Sequence, residues 1–253
     1  MTHTDWHCYF LANKNHFDHI AWSDGPELTG DESLVITRSI QQFQKGENSE
    51  GKHLIRFAKR HRDATYLSAI TDLIREEQTH SLVLGRFMES NGIPKIRSHW
   101  VDTIFRKLRQ FGNLENSIRV LISAEIIAAV FYQALHDATN SPTLKAICKQ
   151  ILRDEEMHIN FQSFTLKTFF ARKSLVGKLW TRTFHRMLMI GTTIVVWLTY
   201  FRLLTAGGFT MRSFQNKVFR EYARAMRMVR GADEITIRAE AIGQSLSHSN
   251  QTR

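Results

Sequence analysis

Two short motifs in this chain place a carboxylate and an imidazole one helical turn apart. The first is Glu77-Gln78-Thr79-His80 and the second is Glu155-Glu156-Met157-His158. Residues three apart on an α-helix lie on the same face, so each pair can bind one metal ion. A single pair says little, because a chain with 24 acidic residues and 12 histidines can contain one by chance. The positions of two further glutamates make the pattern more specific.

A repeat of 78 residues relates two half-sites, and in each a lone glutamate precedes the Glu-x-x-His glutamate by 30 residues. The six predicted metal ligands are Glu47, Glu77, His80, Glu125, Glu155 and His158. If each half-site lies on a helical hairpin, about 15 residues on either side of the turn bring its two carboxylates to the same level. Glu50 also lies on the inward stripe of its helix and is the alternative to Glu47. The repeat favours Glu47, because Glu50 would map onto Ala128.

The predicted ligands interrupt stripes of apolar residues that would otherwise form a core. Buried carboxylates are costly unless they are paired, and four of them together would repel one another. Two divalent cations would offset these charges, with the imidazoles as neutral ligands. The competing interpretation places the acids in surface ion pairs. We apply that interpretation to the neighbouring Glu76, Asp154 and Glu156.

Apolar periodicity predicts an all-α fold, in agreement with a chain that has only three prolines and no alternating strand pattern. The predicted bundle helices are Asp31–Arg62, Asp63–Asn91, Leu114–Asp137 and a fourth helix that starts at Pro142. Residues 93–113 connect the second helix to the third and contain a predicted short basic helix, Asp102–Gln110. The order of hairpin, long crossover and hairpin is the ferritin-like four-helix topology.

Four regions follow from this pattern. Residues 1–30 are predicted to be an irregular arm, 31–172 the four-helix bundle, 173–231 a basic extension with two more helices (Leu175–Thr205 and Met211–Arg230), and 232–253 a polar tail. The extension contains a run of apolar residues at 187–201. Fifteen residues are fewer than the roughly 20 that span a bilayer, so we expect a buried or interfacial helix.

Residues 31–165 resemble the ferritin-like di-iron carboxylate superfamily. The segment Asp154-Glu155-Glu156-Met157-His158-Ile159 is similar to the corresponding segment of rubrerythrins and bacterioferritins. Gly46-Glu47 resembles the Gly-Glu pair that supplies the first ligand in demethoxyubiquinone hydroxylases. The resemblance implies that the six residues above bind two metal ions, with Glu77 and Glu155 bridging them.

Carboxylate and imidazole ligands without thiolates favour iron, with manganese as the alternative, and such ions can bind O₂ at open positions. We therefore expect a di-iron oxidoreductase of the monooxygenase or desaturase type, in which the six ligands are also the catalytic residues. Its substrate would be apolar, lipid-like or carrier-bound. Electrons would come from a ferredoxin or a reductase. Ala124, Ala128 and Ala129 beside Glu125 are small enough to leave space for a substrate.

Other functions remain open at this point. A ferritin-like ferroxidase or peroxide reductase would use the same ligands, and so would a tRNA-modifying hydroxylase. The positive charge lies in residues 161–231, which contain 13 lysines and arginines and one acid. It predicts contact with an anionic membrane, an acidic carrier protein or RNA, or else a solvated face. A helical adaptor without catalysis could use the same surface.

The cysteines and the N-terminus bear on location. Cys8 and Cys148 lie far apart and suggest neither a disulfide framework nor a thiolate metal site. The N-terminal residues lack the features of a secretory signal. We expect a cytoplasmic protein, with peripheral attachment to the inner face of the membrane and a homodimer as further options.

Overall fold

The computed structural model describes residues 1–48, 51–99 and 113–235. Within these three ranges the secondary structure is helical, with no β-strand, which confirms the all-α prediction. In chain order the helices are α1 (His3–Ala12), α2 (Gly30–Glu47), α3 (Lys52–His61), α4 (Ala64–Ser90), α5 (Leu114–Asp137), α6 (Pro142–Ala171), α7 (Leu175–Ala206) and α8 (Met211–Val229).

Polar caps begin the helices at the predicted positions. Asp63 accepts a hydrogen bond from the backbone N–H of Tyr66 and caps α4. Ser141 caps α6, and Pro142 occupies the first helical position, where its missing N–H leaves no bond unmade. The predictions for α4, α5, α7, α8 and the start of α6 are confirmed to within about two residues.

The prediction of an irregular arm over residues 1–30 is wrong for its first part. Thr2 and Asp5 form a capping box that starts α1, with each side chain bonded to the backbone N–H of the other residue. Trp6, Tyr9 and Phe10 are buried and join the main core. The aromatic residues that show no clear period in the sequence therefore belong to a helix that packs against α4.

The predicted helix Asp31–Arg62 is wrong as a single element. The chain leaves the helical conformation after Glu47, and α3 begins at Lys52. Gly51 adopts a φ of +57°, and a Cβ atom there would lie 2.4 Å from the side chain of Ile74. A left-handed backbone pressed against a neighbouring side chain requires glycine. Glu47 therefore lies on the last turn of α2.

The helices that carry the predicted ligands surround one core. α5 packs most extensively against α6, and α4 contacts α1, α2, α3 and α6. The extension packs on the same core, because α7 contacts α5 and α2 while α8 contacts α6 and α5. The turn after α7 approaches α5 closely, since a Cβ atom on Gly207 would lie 2.4 Å from the carbonyl oxygen of Ala134. This contact fixes the C-terminal end of α7 against the bundle.

Among the described residues, two helices, α5 and α7, are long and apolar enough by length and composition to cross a membrane. In α5 83% of the apolar window is buried, as in the core helix of a soluble protein, whereas in α7 only 39% is buried. The apolar stretch of α7 is therefore longer than the run of residues 187–201 from which the sequence predicts a buried or interfacial helix. The length of α7 therefore allows it either to cross a membrane or to lie at the surface of one.

Three predicted features lie outside the described residues. They are the basic helix Asp102–Gln110, the alternative ligand Glu50, and residues 236–253 of the predicted tail.

Candidate metal centre

All six predicted ligands come together between α2, α4, α5 and α6. They form two groups of four whose ligand atoms lie within 4.8 Å of one another, namely Glu47, Glu77, His80 and Glu155, and Glu77, Glu125, Glu155 and His158. Each group contains three carboxylates and one imidazole. Glu77 and Glu155 belong to both groups, so two ions that share them would each meet four protein ligands.

The position of each side chain follows from its helix. α4 and α6 each carry a Glu-x-x-His pair, whose members project from one face because they lie one turn apart. Glu125 projects from the middle of α5, and Glu47 from the last turn of α2. The break after Glu47 does not prevent the convergence, although the hairpin geometry predicted from the sequence requires a continuous helix up to the turn.

Several atoms of this cluster are buried without a hydrogen-bond partner. They are both carboxylate oxygens of Glu155 and Nδ1 of His80, whereas Oε1 of Glu77 and Nδ1 of His158 lie 2.8 Å apart as an ion pair. His80, Glu155 and His158 are completely inaccessible to solvent. Buried polar groups are normally satisfied, so a set of unsatisfied atoms at one point needs an explanation. Oxygen and imidazole nitrogen atoms that converge in this way fit a pair of divalent cations.

Without cations the carboxylates must share protons. Burial raises the pKa of Glu155 well above its ordinary value, and the charges of Glu125 and Glu77 raise it further. Burial and the neighbouring Glu77 likewise raise the pKa of Glu47. Burial also acts to raise the pKa of Glu77, but hydrogen bonding to His158 outweighs it and lowers that pKa to about 2. Glu47 and Glu155 therefore hold their protons more firmly than free carboxyl groups do.

The imidazole of His158 supplies a further proton. Burial acts to lower its pKa, but the nearby carboxylates of Glu125, Glu76 and Glu77 outweigh burial, so the pKa lies well above the ordinary value. Nδ1 of His158 lies 2.8 Å from Glu77 Oε1 and 3.9 Å from a carboxylate oxygen of both Glu125 and Glu155. A metal ion at this position would displace the proton, because the neutral ring is the form that binds metal.

A second layer of carboxylates fixes the two rings. Nε2 of His80 lies 3.0 Å from Asp154 Oδ2, and Nε2 of His158 lies 2.8 Å from Glu76 Oε2. Each ring thus contacts a carboxylate from the opposite Glu-x-x-His helix. A carboxylate accepts the Nε2–H hydrogen bond and leaves Nδ1 toward the cluster, as is usual for metal-bound histidines.

The surface interpretation of Glu76 and Asp154 is therefore wrong. Both side chains are buried, with exposures of 4% and 1%. The sequence contained a signal for them, because the offset of 78 residues also maps Glu76 onto Asp154. Glu156, which we also placed at the surface, is half-buried.

The N-terminal segment completes the second layer. The Asn13 amide donates to Glu76 Oε1 at 2.6 Å and to Asp154 Oδ1 at 3.1 Å, so it links the two carboxylates. His16 Nε2 lies 3.2 Å from Asp154 Oδ2. His16, His80 and Asp154 form a third group with metal-ligand spacing. We interpret it as a hydrogen-bonded layer, because it uses the Asp154 oxygen that is bonded to His80 Nε2.

Tyr132 holds Glu47 in place. Its hydroxyl group donates to Glu47 Oε1 at 2.6 Å from a completely buried position on α5. Burial raises the pKa of Tyr132 well above its ordinary value, and the charge of Glu47 adds to that effect. The phenol therefore stays protonated and remains a donor. It orients the one predicted ligand that lies at a helix end.

A cavity of ≈120 Å³ opens beside the cluster, between α2, α5 and α7. Glu47, Glu77 and Glu125 form part of its wall. The remaining wall residues are mostly apolar and are Gln42, Phe43, Gly46, His99, Leu121, Ala124, Ile127, Ala128, Val196 and Tyr200. Two of the three alanines predicted to leave space, Ala124 and Ala128, line this cavity, whereas Ala129 does not.

Comparison with protein-family models, with curated proteins and with solved structures gives no match to this chain.

Metal ions should stabilise the folded protein. We expect Fe(II), added without oxygen to chelator-treated protein, to raise the melting temperature in circular dichroism. An ion at 100 times its Kd adds about 2.7 kcal/mol per site to the free energy of unfolding. The increase should shrink between pH 7.5 and 5.5, because protons on Glu47, Glu155 and His158 compete with the metal.

The matched controls are Glu125→Gln, which keeps the side-chain shape but removes a ligand charge, and Glu89→Gln, at a surface side chain that is 65% exposed. Glu89→Gln should keep the full increase, and Glu125→Gln should lose most of it. An equal increase in both variants would show that the ions bind elsewhere.

The second layer should tune affinity without supplying ligands. We expect Glu76→Gln and Asp154→Asn each to weaken metal binding by about 10–100-fold, since each removes the charge that supports a bound imidazole. Competition with a chromophoric chelator measures the change. Asp137→Asn, at an exposed side chain near the end of α5, should have no effect. Unchanged affinity in the two buried variants would refute the assigned role.

Proposed function

We propose that this protein is a ferritin-like di-iron oxidoreductase that uses O₂ to hydroxylate or desaturate an apolar substrate. The observation that carries the proposal is the pair of four-ligand groups that share Glu77 and Glu155 next to an apolar cavity. Manganese is the alternative metal, because the same hard oxygen and imidazole ligands suit it. When bound, the metal pair supplies the site at which O₂ is reduced.

The protein side chains account for the other requirements. Six residues would hold the pair, Glu76 and Asp154 orient the two imidazoles, and the apolar wall of the cavity would exclude water from the reacting carbon. Hydroxylation converts C–H, O₂, two electrons and two protons into C–OH and water. Desaturation removes two hydrogens from adjacent carbons and yields two waters from the same inputs. Both reactions need an external electron donor, which we propose to be a ferredoxin or a flavin-dependent reductase.

The apolar cavity favours an oxygenase or desaturase over a protein that stores iron or reduces peroxide. A ferroxidase or peroxidase of the same ligand set acts on ions or on a small polar molecule and has no need for an apolar chamber at the carboxylates. Here the chamber wall includes Phe43, Leu121, Ile127 and Val196. The shape therefore supports an organic substrate.

Oxygen uptake with a coupled electron donor tests the reaction. Iron-loaded protein, with NADH, a ferredoxin and its reductase, should consume O₂ faster when long-chain fatty acids or alcohols are added. With ¹⁸O₂, mass spectrometry should find one labelled oxygen in a hydroxylated product, or a mass loss of two hydrogens in a desaturated one. Glu155→Ala should reduce product to background, while Glu89→Gln should leave it unchanged.

Two outcomes would contradict the proposal. Rapid Fe(II) oxidation into a mineral, with no organic product from any substrate, would favour storage. Full stability and full binding to lipid or RNA in a protein that takes up no metal would favour the non-enzymatic adaptor.

The location proposed for the protein is the cytoplasmic surface of an anionic membrane. One face of α7 packs on the bundle, while the other exposes large apolar side chains, among them Leu175, Val176, Leu179, Trp180, Phe184 and Met187. Beside this face α7 and α8 form a groove of ≈500 Å³, and its lining includes Arg182, Arg186, Arg227 and Arg230. Apolar residues next to arginines suit a bilayer with anionic headgroups. A symmetric contact with a second copy would bring the arginines together, which disfavours this face as the homodimer interface.

Vesicle binding tests this location. The protein should co-sediment more than about ten-fold better with vesicles that contain about 30% phosphatidylglycerol than with neutral vesicles. Each basic group near an anionic surface adds roughly 1 kcal/mol to the binding free energy. The double variant Arg182→Glu and Arg186→Glu should lose this preference, and Lys149→Glu, at an exposed position on α6, should keep it. Binding to an acidic acyl carrier protein or to RNA, without binding to vesicles, would assign the basic face to that partner instead.

A further inference from the structure

An apolar groove lies on the surface next to the cavity at the candidate metal centre. It has a volume of ≈570 Å³ and runs between α2 and α7. Its lining residues are Leu34, Val35, Arg38, Ser39, Val195, Leu198, Thr199, Tyr200, Phe201 and Arg202. Tyr200 also lines the inner cavity, so one side chain borders both spaces.

The backbone of α7 is irregular at this residue. Tyr200 has φ −119° and ψ 17°, outside the helical range, although helix continues on both sides. The hydroxyl group of Thr199, the preceding residue, donates to the carbonyl oxygen of Val195 at 2.7 Å, a bond that bends helices. The Tyr200 side chain is 4% exposed and contacts the rings of Phe43 and Phe131, with centroids 5.3 and 5.6 Å away. A local kink thus positions the side chain between the two spaces.

The inner cavity is too small for a whole substrate. Sites for drug-sized molecules occupy roughly 300–1,000 Å³, and a cavity of ≈120 Å³ holds only the reacting end of such a molecule. Taken with the outer groove, the space falls within that range. A long, narrow molecule that extends through both is the shape that fits.

The outer groove also has a charge. Arg38 on α2 and Arg202 on α7 line it, both exposed, and no acidic residue is among its lining residues in the described part of the chain. A guanidinium group binds carboxylate and phosphate oxygens through paired hydrogen bonds. Apolar side chains with two arginines suit an anionic head and a hydrocarbon chain.

We infer that the groove between α2 and α7 binds a single-chain anionic amphiphile, with its head at Arg38 and Arg202 and its chain passing Tyr200 into the cavity beside Glu47, Glu77 and Glu125. This inference rests on the proposed function and specifies its substrate class. Tyr200 acts as a gate between the groove and the centre.

Fluorescence of cis-parinaric acid tests the route, because this narrow fatty acid becomes bright when it leaves water. The full-length protein should bind it both with iron and after chelator treatment. Gly46→Leu and Ala128→Phe, two substitutions that fill the cavity, should weaken binding by at least about ten-fold. Gly46→Leu is the safer variant, since a Cβ atom at Gly46 would meet no other heavy atom within 4 Å.

Head recognition and gating have separate controls. Arg38→Glu with Arg202→Glu should weaken the acid by about ten-fold and its methyl ester by less than about two-fold, while the exposed Arg212→Glu should change neither. Tyr200→Leu should speed both association and release in stopped-flow measurements. Transfer rates that rise with vesicle concentration would identify a bilayer source, and rates independent of vesicles would identify free monomer.

The route is refuted if neither cavity-filling variant changes the affinity for the acid, or if the acid and the ester respond equally to the arginine changes. Elemental analysis of the same samples keeps this result separate from the proposed function. Binding of the acid by protein that takes up no iron would retain the route and refute the centre, whereas iron uptake without acid binding would do the reverse.

Discussion

Four carboxylates and two imidazoles converge at one level of the helical core, where three of the carboxylates and both rings are buried. Each carboxylate raises the cost of ionising the others, and burial removes the water that would otherwise screen them. In the absence of cations these interactions raise the pKa of Glu47, of Glu155 and of His158, so all three groups bind protons more strongly than they would in water. Divalent cations would offset the same negative charge, and each would supply two positive charges at one point. A core with these residues could therefore hold either protons or divalent cations.

The second layer explains why the arrangement can be precise. Glu76 and Asp154 each bind the imidazole of the opposite Glu-x-x-His helix, and Asn13 links them. The two half-sites are thus joined by hydrogen bonds as well as by the shared glutamates. A displacement of α4 relative to α6 would break both imidazole–carboxylate contacts at once, so these contacts hold the two helices in register.

The sequence predicted the parts of this centre that depend on local periodicity. The 78-residue repeat located the six side chains because each half-site lies on regular helices, where spacing determines position. It failed to predict the break after Glu47, which depends on how Gly51 fits against Ile74 of another helix. It also did not identify Asn13 and His16, which reach the site from a segment with no periodic signal and 60 or more residues from their partners on α4. Contacts between distant segments leave no pattern in a single sequence.

α7 connects the proposed chemistry to the proposed surroundings of the protein. Its packed face supplies Val196 and Tyr200 to the cavity wall, and its outer face supplies Leu198 and Phe201 to the groove. The same helix carries exposed apolar residues and arginines at its other end. A helix with no role beyond stability would bury its apolar residues, since exposed apolar surface lowers solubility without adding to the core. The apolar outer face begins beside four arginines and ends at the groove that shares Tyr200 with the cavity, which agrees with our proposal that an amphiphilic substrate arrives from this side.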